Sequence, residues 1–364
     1  MMIDDYFVIN AVAHAYNLEP ANVRNRSGQL LSDMLWGLHE SWSPPHARMT
    51  FEEFTSDWTV DALAQALFVE SDVDIASTHT LRLDSYLDDG LAAREKTVEA
   101  ATKYPERFIA YVGVDPTAGL DTCLRDLDEQ MAELPQAVGL KMYPAQVEPN
   151  RSWRLDDPDL AFPIIERAIE HGLKTVAIHK AAPLGPVPMN PYQIDDVDGA
   201  AGRYPEMNFE IIHAGLAFTR ETSLALARFP NVYANLEVTS LLLLKAPQRF
   251  EDVLADFILW GGPDKILFSD GAMFAHTQPF LEAFTKFQFS EKTCEGMGVE
   301  LLTREDKAKI LGLNYARVVD LDVEAAKAKI AEDQFSMVRR TAPRPEPYAA
   351  WKKEFATDPA GFRR

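Results

Sequence analysis

Eight times along the chain, a short apolar run rich in β-branched residues is followed by a longer amphipathic segment. The runs are Phe7–Val12, Val73–Thr78, Phe108–Val114, Val138–Tyr143, Thr175–His179, Phe209–His213, Val232–Val238 and Ile266–Ser269. The helix-like segments between and after them are Val60–Val69, Leu91–Tyr104, Leu120–Leu134, Leu160–His171, Ile194–Tyr204, Arg220–Phe229, Phe250–Trp260 and Pro279–Phe287. In one of these, Leu124, Leu127, Met131 and Leu134 fall at the spacing of a single buried helix face. Asp156-Asp157-Pro158 reads as a helix start and Gly172 as its stop. Strands apolar on both faces, each followed by a helix, predict a parallel sheet covered on both sides. Eight such units fill the length of an α/β fold of the (β/α)8 TIM barrel type. A doubly wound open sheet is the alternative, but it calls for a glycine-rich turn after the first strand. This chain has Val12-Ala13-His14-Ala15-Tyr16 there.

The barrel accounts for residues 1–332, with 17–55 as an insertion or lid after the first strand and 333–364 as a C-terminal arm. The insertion carries Trp36, His39, Trp42, Pro44, Pro45 and His46. Connections of that length are active-site lids, partner-binding loops or surface excursions. Trp36, Trp42, Phe218, Met273 and Phe274 are candidates for an apolar wall facing an aromatic ring, or for lid packing. His39 and His171 read as surface residues, and His46 as lining the mouth. The arm is rich in proline and charge, yet it retains Phe335, Tyr348, Trp351, Phe355 and Phe362. Those aromatics predict an arm packed on its own barrel or on a neighbouring subunit, and a homodimer or larger homo-oligomer is expected.

The 36 basic and 56 acidic residues leave a net charge of −20, which repels phosphate backbones and anionic lipid. Nucleic acid and membrane are therefore excluded as expected partners, and a small-molecule substrate is the expected one. Only a local basic pocket captures an anionic substrate on such a chain. Cys123 and Cys294 are too few for a disulfide framework or a thiolate zinc site and suit a reducing cytoplasm. Met1–Asp5 is acidic where a signal peptide is basic. The longest apolar stretches, Leu241–Leu244 and Ile258–Trp260, fall far short of the roughly 20 residues of a membrane span. A soluble, cytoplasmic protein is expected.

Catalytic groups of such barrels sit at the C-terminal ends of the strands. Those positions hold His14, His79, Lys141, His179 with Lys180, His213, Glu237 and Asp270. Four of the chain's eight histidines fall there, a clustering that core packing alone does not produce. Neutral imidazoles with a carboxylate are the ligand chemistry of a divalent metal, zinc first, with manganese, iron or calcium as alternatives.

The motifs resemble the metal-dependent amidohydrolase superfamily, in its amidohydrolase-related branch, which includes aminocarboxymuconate semialdehyde decarboxylase and aromatic-acid decarboxylases beside true hydrolases. The matching pieces are Val8-Ile9-Asn10-Ala11-Val12-Ala13-His14, Gly139-Leu140-Lys141-Met142-Tyr143-Pro144, Val176-Ala177-Ile178-His179, Ile211-Ile212-His213-Ala214-Gly215 and Ile266-Leu267-Phe268-Ser269-Asp270. The stretch from Glu305 to Arg317 resembles the helix that closes these barrels. The resemblance implies one divalent ion on His14, His179 and Asp270, with His213 as a further ligand or an acid–base group. It makes Asp270 the residue that touches the metal and moves the proton. Val12 stands where the family has a second strand-one ligand, and Asn10 where it has aspartate.

Lys141 is open to three readings: a carbamylated bridging ligand, an anchor for a substrate anion, or an ion-pair partner; the last two are preferred. His79, Glu237 and His276 complete the substrate-facing candidates, and Glu237 is alternatively a replacement for the missing strand-one ligand. The implied reaction is non-oxidative decarboxylation of a small aromatic or unsaturated carboxylic acid. The alternatives are metal-dependent hydrolysis of an amide, ester or lactone, and a catalytically lapsed barrel with a binding role.

Overall fold

The computed structural model describes residues 6–147, 150–185 and 187–357. Met1–Asp5 and Phe362, both invoked above, lie outside the described residues. Eight parallel strands follow one another in chain order: β1 (Ile9–Ala13), β2 (Ile75–His79), β3 (Phe108–Gly113), β4 (Gly139–Met142), β5 (Thr175–His179), β6 (Asn208–Ile212), β7 (Val232–Asn235) and β8 (Ile266–Leu267). Each lies within one of the runs read from the sequence or within two residues of it. The last strand returns to the first: Ala11 N–H donates to Phe268 O at 3.0 Å and Gly271 N–H to Val12 O at 3.2 Å. The sheet therefore closes as a (β/α)8 barrel, and closure leaves no unpaired edge.

The covering helices also form where periodicity placed them, at Leu120–Glu133, Ala161–Glu170 and Thr219–Arg228 for example. Asp157 Oδ1 accepts the amides of Asp159 and Leu160 just ahead of the Ala161–Glu170 helix. Gly172 leaves that helix at φ +79°, a conformation that glycine adopts without a Cβ clash. Most apolar side chains pack between the sheet and this helical shell. A second cluster, including Ile9, Val12, Tyr111, Ala177 and Leu267, fills the barrel interior beneath its mouth. No helix among the described residues is long and apolar enough to cross a membrane.

The insertion departs from the loop reading. It is built around a 17-residue helix, Arg26–Trp42, capped by the Asn25 side chain on the Gly28 amide. His39 is not a surface residue; it is fully buried. Its Nδ1 meets Phe274 O at 2.7 Å while the Met49 amide donates to its Nε2 at 2.9 Å, so the ring ties the insertion to the loop after β8. Trp36 and Phe274 take part in lid packing through Phe54, Phe51 and His39.

The described part of the arm packs on its own chain. Buried Arg107 holds Asp333 through two nitrogens, at 2.6 and 2.8 Å. Phe335 packs on Phe68 and Tyr104. Further on, the amides of Tyr348 and Ala350 donate to the two oxygens of buried Glu70, and the Tyr348 hydroxyl donates to Met273 O.

Candidate active site

Six of the strand-exit side chains (His14, His79, Lys141, His179, His213, Glu237) and Asp270 are buried, none more than 6% exposed. Glu237 stands among them. Its Oε1 lies 3.6 Å from His14 Nε2 and its Oε2 3.6 Å from His213 Nε2. His213 Nε2 in turn lies 3.1 Å from His179 Nδ1. His14, Glu237, His213 and His179 thus form one continuous chain of polar groups across the mouth. Gly271, at φ +72°, makes room for it: a Cβ there falls 3.2 Å from Glu237 Oε1. The space beside Gly271 is taken by Glu237.

Burial lowers the pKa of His14, His79, His179 and His213, and the Lys141 charge adds to that in each, which favours the neutral ring in all four. Glu237 sits well below the usual carboxylate range because His213, His14 and Lys141 outweigh its desolvation. The tautomers of two rings follow from their carbonyl partners. His213 Nδ1 donates to Glu237 O at 3.0 Å, and His179 Nε2 donates to Ala182 O at 2.7 Å. Their other nitrogens, 3.1 Å apart, are therefore two lone pairs aimed at each other. That arrangement asks for a cation between them, and a carbonyl on the second nitrogen is the usual support of a metal-bound imidazole. The two rings fit a divalent ion. Among the described residues, no three His, Cys, Asp or Glu side chains converge into a group that could hold one.

Lys141 is buried, with Nζ 5.2 Å from the centre of the Tyr143 ring. Desolvation pulls its pKa down, and the charges of Glu237 and Glu210 push it back. Among the described residues no carboxylate lies within ion-pair distance of it. Lys180, its neighbour in the sequence-based set, turns away to Asp196 at 2.8 Å and Pro191 O at 2.7 Å and closes a structural pair.

Asp270 is held from the side. Its Oδ1 accepts from Asn10 Nδ2 at 2.6 Å and from the Ala272 amide at 3.0 Å, while Oδ2 has no hydrogen-bond partner among the described residues. Burial raises its pKa to about 6, against the hydrogen bonds from Asn10, Thr277 and Ala272. The family-pattern departure at residue 10 thus acquires a role, since Asn10 orients the carboxylate. The register of β1 shifts between Asn10 and Ala13, and Val12 packs in the interior apolar cluster.

His79 stacks on Tyr111 at 4.1 Å and meets His14 edge-on at 5.3 Å. Gly139 permits this stack, because a Cβ there falls 2.2 Å from the Tyr111 ring. His276 is placed elsewhere: its Nε2 lies 3.3 Å from Glu70 and its ring meets Tyr348 edge-on at 5.0 Å. His46 is exposed. His14 Nδ1, His79 Nδ1, Glu237 Oε2 and Asp270 Oδ2 are all buried without a hydrogen-bond partner among the described residues. The backbone here is strained as well: Ala181, His213 and Val238 hold positive φ, and for a β-branched valine that is costly.

Sequence reasoning missed Tyr16 and Tyr143, which stack on His14 at 5.6 Å and on His179 at 4.8 Å. Tyr143 follows its strand end by one residue and Tyr16 by three, positions as telling as those of the histidines. It also missed Glu210, whose signal was a lone carboxylate inside the apolar run Phe209-Glu210-Ile211-Ile212.

Several solved structures share the fold. A 2,6-dihydroxybenzoate decarboxylase from Rhizobium superposes with a TM-score of 0.55 at 14% identity, covering 86% of this chain and 99% of that one. A 5-carboxyvanillate decarboxylase from Novosphingobium aromaticivorans, complexed with manganese and 4-hydroxy-3-methoxy-5-nitrobenzoic acid, gives 0.52 at 13% identity, with 87% and 97% covered. A probable 2-pyrone-4,6-dicarboxylic acid hydrolase from Acinetobacter baumannii, with citric acid bound, gives 0.50 at 12% identity, with 86% and 99% covered. At these identities the likeness is one of fold. No curated protein matches the chain in sequence. The sequence itself matches the amidohydrolase family model over residues 50–321, which takes in seven of the eight strands and the site residues from His79 to Asp270, and the chain belongs to that family.

Proposed function

We propose that this chain is an enzyme acting on a small aromatic or unsaturated carboxylic acid, and that its reaction is non-oxidative decarboxylation. The observation that carries this reading is Lys141, a buried ammonium over an aromatic ring with no carboxylate partner within ion-pair distance among the described residues. A buried cation without a counter-charge is costly, and a substrate anion offsets that cost. Lys141 would therefore receive the acid, with the neutral rings of His14 and His79 as further polar contacts.

A divalent ion belongs to the proposal. His179 and His213 would hold it, and bound there it would draw electron density from a substrate oxygen. The proton step rests on Asp270. When the bond between ring carbon and carboxyl carbon breaks, its electron pair stays on the ring carbon. That carbon takes the proton of the Asp270 acid form, carbon dioxide leaves, and water reprotonates the carboxylate. A pKa near 6 keeps both forms of Asp270 accessible around neutrality. Asn10 would hold the carboxylate in one orientation through the cycle.

The test is a screen of hydroxybenzoates and lactones, read in parallel for carbon dioxide and for ring opening, with metal content measured on the same sample. Release of carbon dioxide from a hydroxybenzoate, lost in Lys141→Met while the fold persists by circular dichroism, is the expected result. Ring opening alone would turn the reading to hydrolysis.

A further inference from the structure

The seven site residues are sealed, so their substrate has to arrive past something. A groove of about 540 Å³ lies across the loops that follow β5, β6 and β7, on the same side of the barrel. That volume lies in the range of small-molecule sites. Leu38 and Trp42 of the insertion helix form one wall, and Ala182, Leu216 and Val238 belong to the opposite loops. Two of those residues belong directly to the site: Ala182 supplies the carbonyl that fixes His179, and Val238 follows Glu237.

Two cations stand in the lining of this otherwise apolar groove, Lys245 and Arg249. Both are exposed. Among the described residues each hydrogen-bonds only to a backbone carbonyl, Lys245 Nζ to Ser41 O at 2.8 Å and Arg249 Nη2 to Leu216 O at 3.3 Å. Neither has a carboxylate within ion-pair distance among the described residues, on a chain whose net charge is −20. Another cavity, of about 630 Å³ beneath the arm, is different. Its arginines Arg339, Arg340 and Arg344 are matched by Asp74, Glu332 and Asp72. Of these two cavities, among the described residues, the groove at the mouth is the one whose cations stand unmatched over an apolar floor.

We infer that this groove is a binding site for an organic anion with an apolar body, held by Lys245 and Arg249 at its charged end and by Leu38, Trp42 and Leu216 along its apolar part. On an acidic protein such a site concentrates anionic molecules where the bulk field disperses them. It serves as the outer station for the acid that the inner site consumes. In that role the inference rests on the proposed function, but the binding itself does not require turnover.

The probe is 4-phenylbutyrate, with 4-phenylbutanol as its neutral counterpart, titrated against the full chain and followed by tryptophan fluorescence. Trp42→Phe identifies the part of the signal that comes from the groove. The butyrate should give a Trp42-dependent change, bind about tenfold more tightly than the alcohol, and weaken as salt is raised. In the double variant Lys245→Ala with Arg249→Ala, the advantage of the acid over the alcohol should vanish. Lys141→Met should leave the groove signal in place. Absence of a Trp42-dependent change, or an unaltered preference in the double variant, overturns the inference. So does loss of the signal in Lys141→Met, which would put the anion on the buried lysine. If the butyrate fails to bind and the double variant sediments as a smaller species, the groove is a contact between copies and the proposal falls. A silent hydroxybenzoate screen would sink the decarboxylase reading while leaving this titration to be judged separately.

Discussion

Two buried polar clusters occupy the same barrel, and they are finished to different degrees. A few residues back from the strand ends, Glu210 is fully buried and fully partnered: Tyr111 Oη donates to it at 2.6 Å, Thr175 Oγ1 at 2.9 Å and Asn235 Nδ2 at 2.8 Å. Tyr315 adds a further bond to Tyr111 at 2.9 Å. At the mouth, among the described residues, four side-chain atoms of the candidate site are left without hydrogen-bond partners and Lys141 has no paired carboxylate. There His179 and His213 point lone pairs at each other. A polar cluster kept for structure satisfies its groups, because each orphan costs stability. A cluster that leaves them open is prepared for something that is not protein. Glu210 on β6 and Glu237, two residues beyond β7, are both buried glutamates, yet only Glu237 belongs to the second kind.

The largest effect expected from this contrast lies at the mouth. Asp270→Asn keeps the shape of the side chain but removes the acid that delivers the proton. Turnover should fall about 10²–10⁴-fold, with substrate affinity largely kept, because the loss is in the transition state. The pH profile adds a sign. With a pKa raised to about 6, the donor form is populated below that value and lost above it. The limb of the wild-type rate that falls as pH rises through about 6 should therefore be missing in the variant. Steady-state kinetics across pH on the substrate from the screen, with metal content checked, decide it. Near wild-type turnover would move the proton to His213 and break the assignment of Asp270 to the working cluster.

The second effect belongs to the finished cluster. Glu210→Ala leaves the Tyr111, Thr175 and Asn235 donors facing a cavity. Unpaired buried donors and lost volume together should cost about 3–5 kcal/mol, read as a drop in the denaturant midpoint. Glu237→Gln, by contrast, should shift that midpoint little and affect activity instead. If the two substitutions exchange these outcomes, the distinction between structural and working clusters fails.

How much of this was legible depended on whether the signal was local. Alternating strand and helix periods are local, and they placed all eight strands. His14, His79, Lys141, His179, His213, Glu237 and Asp270 stood out because each ends an apolar run, where only function explains a polar residue. What stayed hidden was set by partners distant in sequence. Lys180, named beside His179 at the end of β5, belongs to a structural pair with Asp196. His276 looked like a mouth residue until Glu70, 206 positions away, and Tyr348 enclosed it. The insertion helix was illegible for another reason: Gly28, His39 and two tryptophans blur its periodicity, and its buried face depends on a loop after β8.

That insertion supplies the smallest of the expected effects, and it tests what covers the open cluster. His39 is one group at the mouth that is completely satisfied as a neutral ring. Its Nδ1 donates to Phe274 O and its Nε2 accepts the Met49 amide. Adding a proton at Nε2 sets two N–H groups against each other inside a buried pocket. Burial holds the pKa down at about 4. The unfolded chain, with an ordinary histidine, binds the proton from about pH 6.5 downward, while the folded chain resists it until about 4. Between those values the unfolded state holds more protons, so this contribution is full above about pH 6.5 and is lost as pH falls. The linkage amounts to about 2 kcal/mol between about pH 7 and about pH 5. Denaturant unfolding of the full chain at several pH values should show that loss, and His39→Gln should flatten the slope across the same window. A slope that survives the substitution would mean that the insertion is not fastened through this ring, and that the loop after β8, which starts beside Asp270, is held by Tyr348 and the arm instead.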